Sequence, residues 1–201
     1  MTAGRGLRPA AVAGALALAT AVLALPAPAA VVLPGTGSIE LAFTPGDPID
    51  DRLVAPVDAA EREVLMQAFS FTQRRLARAL IAAHRRGVAV AVLADRAQAL
   101  ETPHSAVTDL AAAGVPVWLD GSHAAAHNKV LIVDAALPRA TTVTGSYNFT
   151  VAAQKRNAEN VAIFRDNPGV ALAYRDNFRR LQARALRHGE PAGAARSRAP
   201  G

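Results

Sequence analysis

The sequence has no cysteine among its 201 residues, which excludes disulfides, thiolate metal sites and lipid attachment through a cysteine. It also has few acidic residues, with 16 Asp and Glu against 22 Lys and Arg, for a formal net charge of +6. About half of the residues are apolar, which suits the core of one globular domain at this length. We therefore expect a basic domain whose stability depends on its core alone.

The first thirty residues differ in composition from the rest. Arg5 and Arg8 come without an acidic residue, residues 10–25 are small and apolar apart from Thr20, and residues 26–30 are only Pro and Ala. This order predicts a cleaved signal peptide over residues 1–30. A retained membrane anchor is the alternative, but the apolar run is shorter than the roughly 20 residues that span a bilayer. We expect export by the general secretion route, with the protein periplasmic or extracellular.

The signal leaves residues 31–188 as one folded domain and residues 189–201 as a disordered tail rich in Gly, Pro, Ala, Ser and Arg. Without Arg5 and Arg8 the chain keeps 20 basic and 16 acidic residues, a formal charge of +4. This excess favours a polyanionic partner, either nucleic acid or an anionic lipid surface. A charge that only keeps the protein soluble explains the excess equally well.

Hydrophobic periodicity predicts alternating strands and helices. The predicted strands are 39–43, 63–69, 88–93, 115–119, 130–133, 141–144 and 160–164, and the predicted helices are 73–86, 105–113, 170–187 and one within 49–60. The sequence therefore predicts an α/β fold with a central mixed sheet flanked by helices.

Polar residues whose side chains can act in catalysis or binding surround the strand 130–133. His127 and Lys129 are two residues apart, so in an extended chain they project from the same face and meet the same ligand. Asp134 follows the strand. Because side chains of all three types rarely occur by chance at fixed offsets, this pattern indicates a functional site.

A second polar group follows the next strand. Gly145 and Ser146 are followed by Asn148, and the hydroxyl and amide of the latter two can bind phosphate oxygens. Glu159 precedes the strand 160–164 and is expected to hold the second nitrogen of an imidazole.

The pattern His-x-Lys-x4-Asp followed by Gly-Ser-x-Asn resembles the signature of the phospholipase D superfamily. The likeness covers residues 38–186 and is greatest to its small bacterial endonuclease branch, which has one such motif per chain. Ten residues, 135–144, separate Asp134 from Gly145, which is more than the family usually has. We expect them to lengthen a hairpin turn, because a register shift by one would turn Ser146 and Asn148 away from the site.

This resemblance implies cleavage of phosphodiesters through a phosphohistidine, without a metal or other cofactor. In it His127 is nucleophile or acid, Lys129 and Asn148 bind phosphate oxygens, and Ser146 supports them. Glu159 orients the imidazole, and Asp134, although part of the catalytic motif, is structural.

Two histidines are needed for this chemistry, and the chain has one motif. His84, His104, His123 and His188 are not followed by x-Lys-x4-Asp. The resemblance therefore implies a homodimer in which two copies of His127 share one active site.

Three functions remain open at the level of sequence. A nonspecific endonuclease on DNA or RNA fits the resemblance and the basic charge best. A phospholipase D acting on lipid headgroups uses the same chemistry, although no aromatic-rich amphipathic helix is present to enter a lipid interface. The third is a non-catalytic phosphate-binding module. Tyr147 is a candidate for stacking on a base, whereas Trp118 is expected in the core.

Overall fold

The computed structural model describes Met1 and residues 30–190. Nearly all of the predicted signal peptide, and the predicted tail beyond Glu190, therefore lie outside the described residues. Residue contacts divide the chain into two units, 1–32 and 33–201, and the fold given below is that of the second. No helix in the described part of the chain is long and apolar enough to cross a membrane.

Strands and helices alternate through the first half of residues 30–190, and strands dominate the middle of the second half. The strands are β1 (Ser38–Thr44), β2 (Glu63–Ala68), β3 (Ala89–Asp95), β4 (Val117–Asp120), β5 (Lys129–Val133), β6 (Thr141–Gly145), β7 (Glu159–Arg165) and β8 (Leu186–Arg187). The helices are α1 (Ile49–Asp58), α2 (Arg74–Arg85), α3 (Arg96–Glu101), α4 (Val107–Ala112), α5 (Val151–Lys155) and α6 (Pro168–Gln182).

The strands form one mixed sheet in the order β1-β7-β6-β5-β2-β3-β4-β8. β2, β3 and β4 are parallel, and the crossovers between them carry α2 and then α3 and α4. β5 is antiparallel to β2 and β6, and β7 is antiparallel to β6 and β1. The prediction of an α/β fold with a mixed sheet flanked by helices is confirmed.

Helices cover the sheet on both faces because their apolar residues recur at helical spacing. α2 buries Leu76, Leu80 and Ala83 completely, and α1, α4 and α5 pack into the same core. α6 packs on the opposite face through Ala171 and Phe178. Covering both faces explains why β3 is apolar along nearly its whole length.

The structure differs from the prediction in four elements. The helix predicted for 170–187 begins at Pro168 and ends at Gln182, and β8 follows it to pair with β4. This pairing covers the open edge of β4, a long-range effect that local periodicity does not show. The short helices α3 and α5 were not predicted, because they start at side-chain caps, Asp95 and Thr150, rather than carrying an apolar repeat.

One edge of the sheet collects the motif residues. Lys129 begins β5, Gly145 ends the antiparallel neighbour β6, and Glu159 begins β7. Because neighbouring antiparallel strands run in opposite directions, these three positions lie at the same edge.

Candidate active site

Lys129 places its ammonium against the imidazole of His127. Its Nζ lies 2.9 Å from Nδ1 and 3.1 Å from Nε2 of that ring, and it donates to the His127 carbonyl oxygen at 2.9 Å. The Lys129 side chain is buried, with 6% of the residue exposed, whereas His127 is exposed. The structure therefore brings the imidazole and the ammonium together, with the imidazole open to a ligand.

Phe69 forms the wall beside this pair. Its ring centroid lies 4.4 Å from that of His127, and the Lys129 Nζ lies 5.0 Å from it. The Phe69 amide also donates to the Asn128 carbonyl oxygen at 3.0 Å. Phe69 was not predicted as a site residue, because the sequence shows only an aromatic residue at the end of a buried strand.

Burial lowers the pKa of Lys129 below its usual range, and the nearby Glu159 carboxylate opposes that shift. The desolvation that lowers the pKa also means that little water screens this ammonium. An ammonium held in such a place acts more strongly on a phosphate oxygen than one in bulk water.

Ser146 and Glu159 are joined directly. The Ser146 hydroxyl donates to Oε2 of Glu159 at 2.6 Å and accepts from the Asn160 amide at 3.1 Å. Gly145 makes this approach possible, since a Cβ at that position would lie 2.2 Å from the Asn160 carbonyl oxygen. The Gly-Ser part of the motif is therefore explained by the close packing of β6 on β7.

Glu159 is held by its neighbours and not by His127. One carboxylate oxygen accepts from Ser146, and the other accepts from Nδ2 of Asn157 at 2.9 Å. The predicted bond between Glu159 and a ring nitrogen of His127 is therefore not formed within residues 30–190 of one chain. The strand pattern placed Glu159 at the correct edge of the sheet, but it did not reveal these competing hydrogen-bond donors.

Asn148 offers an amide to a ligand. The side chain is partly buried, its Oδ1 has no hydrogen-bond partner among the described residues, and its Nδ2 donates to none of them. Oδ1 can only accept a hydrogen bond, so a phosphate oxygen would be bound by the Nδ2 amino group. Asn148 thus has a free donor for the phosphate contact that the sequence predicts.

Tyr147 does not stack on a base. It is 1% exposed, and its hydroxyl donates to the Asp50 carboxylate and, at 3.3 Å, to Oε1 of Gln154. Burial and the Asp50 carboxylate raise the pKa of Tyr147. The prediction that Tyr147 stacks on a base is wrong, because the ring lies in the core. Its hydroxyl connects the loop after β6 to α1.

Asp134 lies at the other end of β5 from His127. The five residues of β5 extend about 16 Å at roughly 3.3 Å each. The Asp134 carboxylate accepts from the amides of Glu61, Arg62 and Glu63 at 2.9, 2.7 and 3.0 Å. It therefore fixes the start of β2 and does not belong with the residues that can touch a substrate.

The first part of the long segment between Asp134 and Gly145, residues 135–140, forms a turn, and residues 141–144 belong to β6. The Leu137 amide donates to the Asp134 carbonyl oxygen at 2.8 Å, and the Ala140 amide donates to that of Leu137 at 3.1 Å. The additional residues lengthen the hairpin between β5 and β6, and Ser146 still reaches the site.

Two buried carboxylates on neighbouring strands fix the segment that leads to His127. Asp95 and Asp120 are paired across β3 and β4 and are 5% and 1% exposed. Asp95 accepts from the Ala126 amide at 2.9 Å, and Asp120 accepts from the Ser122 amide at 2.9 Å. The loop between β4 and His127 is thus held near both of its ends.

Residues 30–190 contain no group of three or more His, Asp or Glu side chains placed to hold a metal ion. The charges at the site come from Lys129 and Glu159. The arrangement provides an imidazole and an ammonium in contact at an exposed position, and Asn148 adds an amide in the loop that follows β6. These are the kinds of groups that can bind and attack a phosphate ester.

The chain is similar to proteins of known families over most of its folded domain. The family model described as "Cardiolipin synthase, PLD-like domain" matches residues 53–182. The chain is 39% identical over 140 residues to "Phospholipase D" of Rickettsia felis, covering 70% of this chain and 67% of that protein. It is 34% identical over 163 residues to "Mitochondrial cardiolipin hydrolase" of Xenopus laevis, covering 80% and 75%.

A solved structure gives the same result for the fold. Nuc, a phospholipase D family member from Salmonella typhimurium, superposes with a TM-score of 0.68 at 28% identity, covering 76% of this chain and 99% of that one. Together with the motif at the sheet edge, these matches show that the chain belongs to the phospholipase D superfamily and is a hydrolase of the phosphodiesterase class.

Proposed function

We propose that the chain is a metal-independent phosphodiesterase that cleaves nucleic acid as a nonspecific endonuclease, through a phosphohistidine intermediate. The observation that carries the proposal is the contact of the Lys129 ammonium with the His127 ring at the open edge of the sheet. The net positive charge and the likeness to Nuc support nucleic acid as the substrate.

The reaction has two steps. A ring nitrogen of His127 attacks phosphorus and forms a P–N bond while the P–O bond to the leaving alkoxide breaks, and a second histidine gives that alkoxide a proton. Water then attacks phosphorus, the second histidine takes its proton, and the P–N bond breaks. Lys129 and the Asn148 amide bind the non-bridging oxygens, whose charge grows in each transition state.

A second copy of the chain supplies the second histidine in this proposal. All five histidines lie within residues 30–190, and no hydrogen bond or ring contact joins His84, His104, His123 or His188 to His127. One chain therefore offers half of the required acid–base pair, and a symmetric homodimer offers both halves. We also propose export, to the periplasm or beyond, on the composition of residues 1–30.

A specific observation favours phospholipid as the second candidate substrate. Ile39, Leu41 and Phe43 alternate along the edge strand β1 and are 60%, 61% and 55% exposed. Phe43 is paired with Asn160, whose side-chain amide donates to Ser146 at 3.3 Å. This row of exposed apolar side chains therefore leads to the active site, where it could contact the acyl chains of a lipid substrate. Two relatives also bear the names of lipid hydrolases.

One assay on two substrates tests the proposal. Purified protein in excess chelator is incubated with supercoiled plasmid and, separately, with cardiolipin liposomes. We expect nicking and degradation of the plasmid, loss of this cleavage in His127→Ala, and full cleavage in His84→Ala, which changes a histidine in the last turn of α2. Headgroup release with intact plasmid would replace the nuclease proposal by the lipase, and activity that requires a metal would contradict the mechanism.

The dimer has its own test. Analytical ultracentrifugation at the concentrations of the assay is expected to show a dimer whose dissociation on dilution parallels the loss of activity. A monomer that keeps full specific activity would remove the shared site from the proposal.

A further inference from the structure

Two basic residues without partners border the active site. Lys155 ends α5, and Arg156 follows it as the C-cap. Both are exposed, and neither side chain forms a hydrogen bond or ion pair with another residue of the described chain. Several other exposed arginines do, as in the pairs Arg74–Asp109, Arg75–Asp51 and Arg139–Glu61.

The backbone that carries this basic pair is fixed to the site. The buried Thr44 hydroxyl lies 3.0 Å from the carbonyl oxygens of both Ala153 and Asn157 and accepts from the Glu159 amide at 3.1 Å. The Asn157 side chain donates to the Glu159 carboxylate at 2.9 Å. Thr44 therefore connects Ala153 and Asn157, which flank the basic pair in sequence, to Glu159, whose carboxylate accepts from Ser146.

The basic pair lies within reach of a ligand at the site. Arg156 is three residues from Glu159, so the two Cα atoms are at most about 11 Å apart, and a long side chain covers much of that span. Stabilisation of α5 does not explain both residues. Lys155 can complement a helix C-terminus, but α5 has only five residues and Arg156 lies beyond its last turn.

We infer that Lys155 and Arg156 form a subsite that binds the phosphates next to the scissile phosphate of a nucleic-acid strand. A strand carries a charge at about every 3.4 Å of its axis, so a bound strand continues past Lys129 with further phosphates. A phosphodiester substrate with no neighbouring phosphate has no anionic group that could occupy this subsite. This inference rests on the proposed function, since it assigns a polyanionic substrate to the same site.

The test separates binding of the strand from the chemistry. Lys155→Ala/Arg156→Ala is compared with the control Arg62→Ala/Arg85→Ala, which removes the same charge from two exposed arginines. These arginines lie at the opposite end of the strands from the active site, where the Ala89 amide donates to the Arg62 carbonyl oxygen. Turnover is measured on duplex DNA, on cardiolipin liposomes and on bis(4-nitrophenyl) phosphate. Affinity for a fluorescent duplex is measured by anisotropy between about 50 and 200 mM salt, in the His127→Ala background.

The first variant is expected to bind the duplex about tenfold more weakly and to raise KM for DNA, with turnover of the small ester unchanged. Two lost phosphate contacts should reduce the slope of log affinity against log salt by about 1.8, and the control should keep the wild-type slope.

The possible failures are distinct. If both double variants bind the duplex alike, or if the first also loses the small ester, the subsite is overturned. If only liposome turnover responds to Lys155→Ala/Arg156→Ala, the basic pair serves a lipid surface and the nucleic-acid subsite is overturned. If the wild type cleaves no phosphodiester, the proposed function fails, while the anisotropy titration still decides whether the basic pair binds DNA.

Discussion

The Nδ1 atom of His123 lies 2.9 Å from Oδ2 of Asp120, a carboxylate that is 1% exposed. His123 follows Ser122, whose hydroxyl and amide both donate to the other Asp120 oxygen at 2.9 Å. Burial raises the pKa of Asp120, but the hydrogen bonds from Ser122 and His123 outweigh it, so that the pKa of Asp120 is lowered overall. The Asp120 carboxylate at the end of β4 thus anchors the start of the loop that leads to His127.

Asp120→Asn should lower kcat about tenfold with little change in KM, because the loop would lose a charged anchor and His127 would shift from its productive position. Steady-state kinetics on bis(4-nitrophenyl) phosphate measure the split between the two constants. Asp58→Asn, at the exposed C-terminal end of α1, is the control and should behave as the wild type. A loss in Asp120→Asn that appears only as lower thermal stability would contradict a positioning role.

The same anchor predicts how stability depends on pH. The pKa of Asp120 is lower in the folded chain than its ordinary value near 3.8, so the folded state favours the ionised form. This contribution is complete above about pH 4 and is lost as pH falls through the lowered value. In acid titrations of the free energy of unfolding below pH 4, Asp120→Asn should therefore lose less stability than the wild type.

The sequence predicted more of the sheet than of the contacts within the site. His127, Lys129, Ser146 and Asn148 were found because alternation in a strand is local and decides which side chains share a face. The partners of Glu159 were not, because they depend on how β6, β7 and the turn after α5 meet in space. Such contacts join residues that no short window of sequence contains.

Gly145→Ala should destabilise the protein by about 3 kcal/mol or more, because its Cβ would overlap the Asn160 carbonyl oxygen and force β6 away from β7. Urea denaturation measures the loss. Gly35→Ala is the matched control, since a Cβ at Gly35 meets no atom within 4 Å. Equal stability of the two variants would show that the strands separate at little cost.

Asp134→Ala should cost on the order of 3 kcal/mol of stability, because three backbone amides lose a charged acceptor. Asp134→Asn should cost less, since one oxygen remains and asparagine tolerates the positive φ of 52° at this position. The kcat of the folded fraction should stay at the wild-type value in both variants. A fall in kcat without a fall in stability would return Asp134 to the catalytic residues.

Tyr147 shows a second limit of sequence reasoning. Its position between two site residues suggested contact with substrate, but neighbours in an extended chain point to opposite sides, and the side of Tyr147 is the core. Whether that side faced solvent or α1 depended on Asp50, nearly a hundred residues earlier in the chain.

Lys129→Arg tests the charge that the mechanism assigns to this position. Because burial lowers the pKa of Lys129, the ammonium is lost at a pH below the ordinary lysine value of 10.5, and activity should fall there. An arginine stays charged through that range, so the variant, although slower because its fork fits the lysine position poorly, should lack this alkaline decline. The pH profile of kcat/KM on bis(4-nitrophenyl) phosphate measures the difference. An alkaline decline of kcat/KM at the same pH in both proteins would mean that a different group titrates there.

The lowered pKa of Lys129 also means that the unfolded chain holds more protons than the folded chain, so wild-type stability should rise with pH up to about 10.5. That rise should be absent in Lys129→Arg.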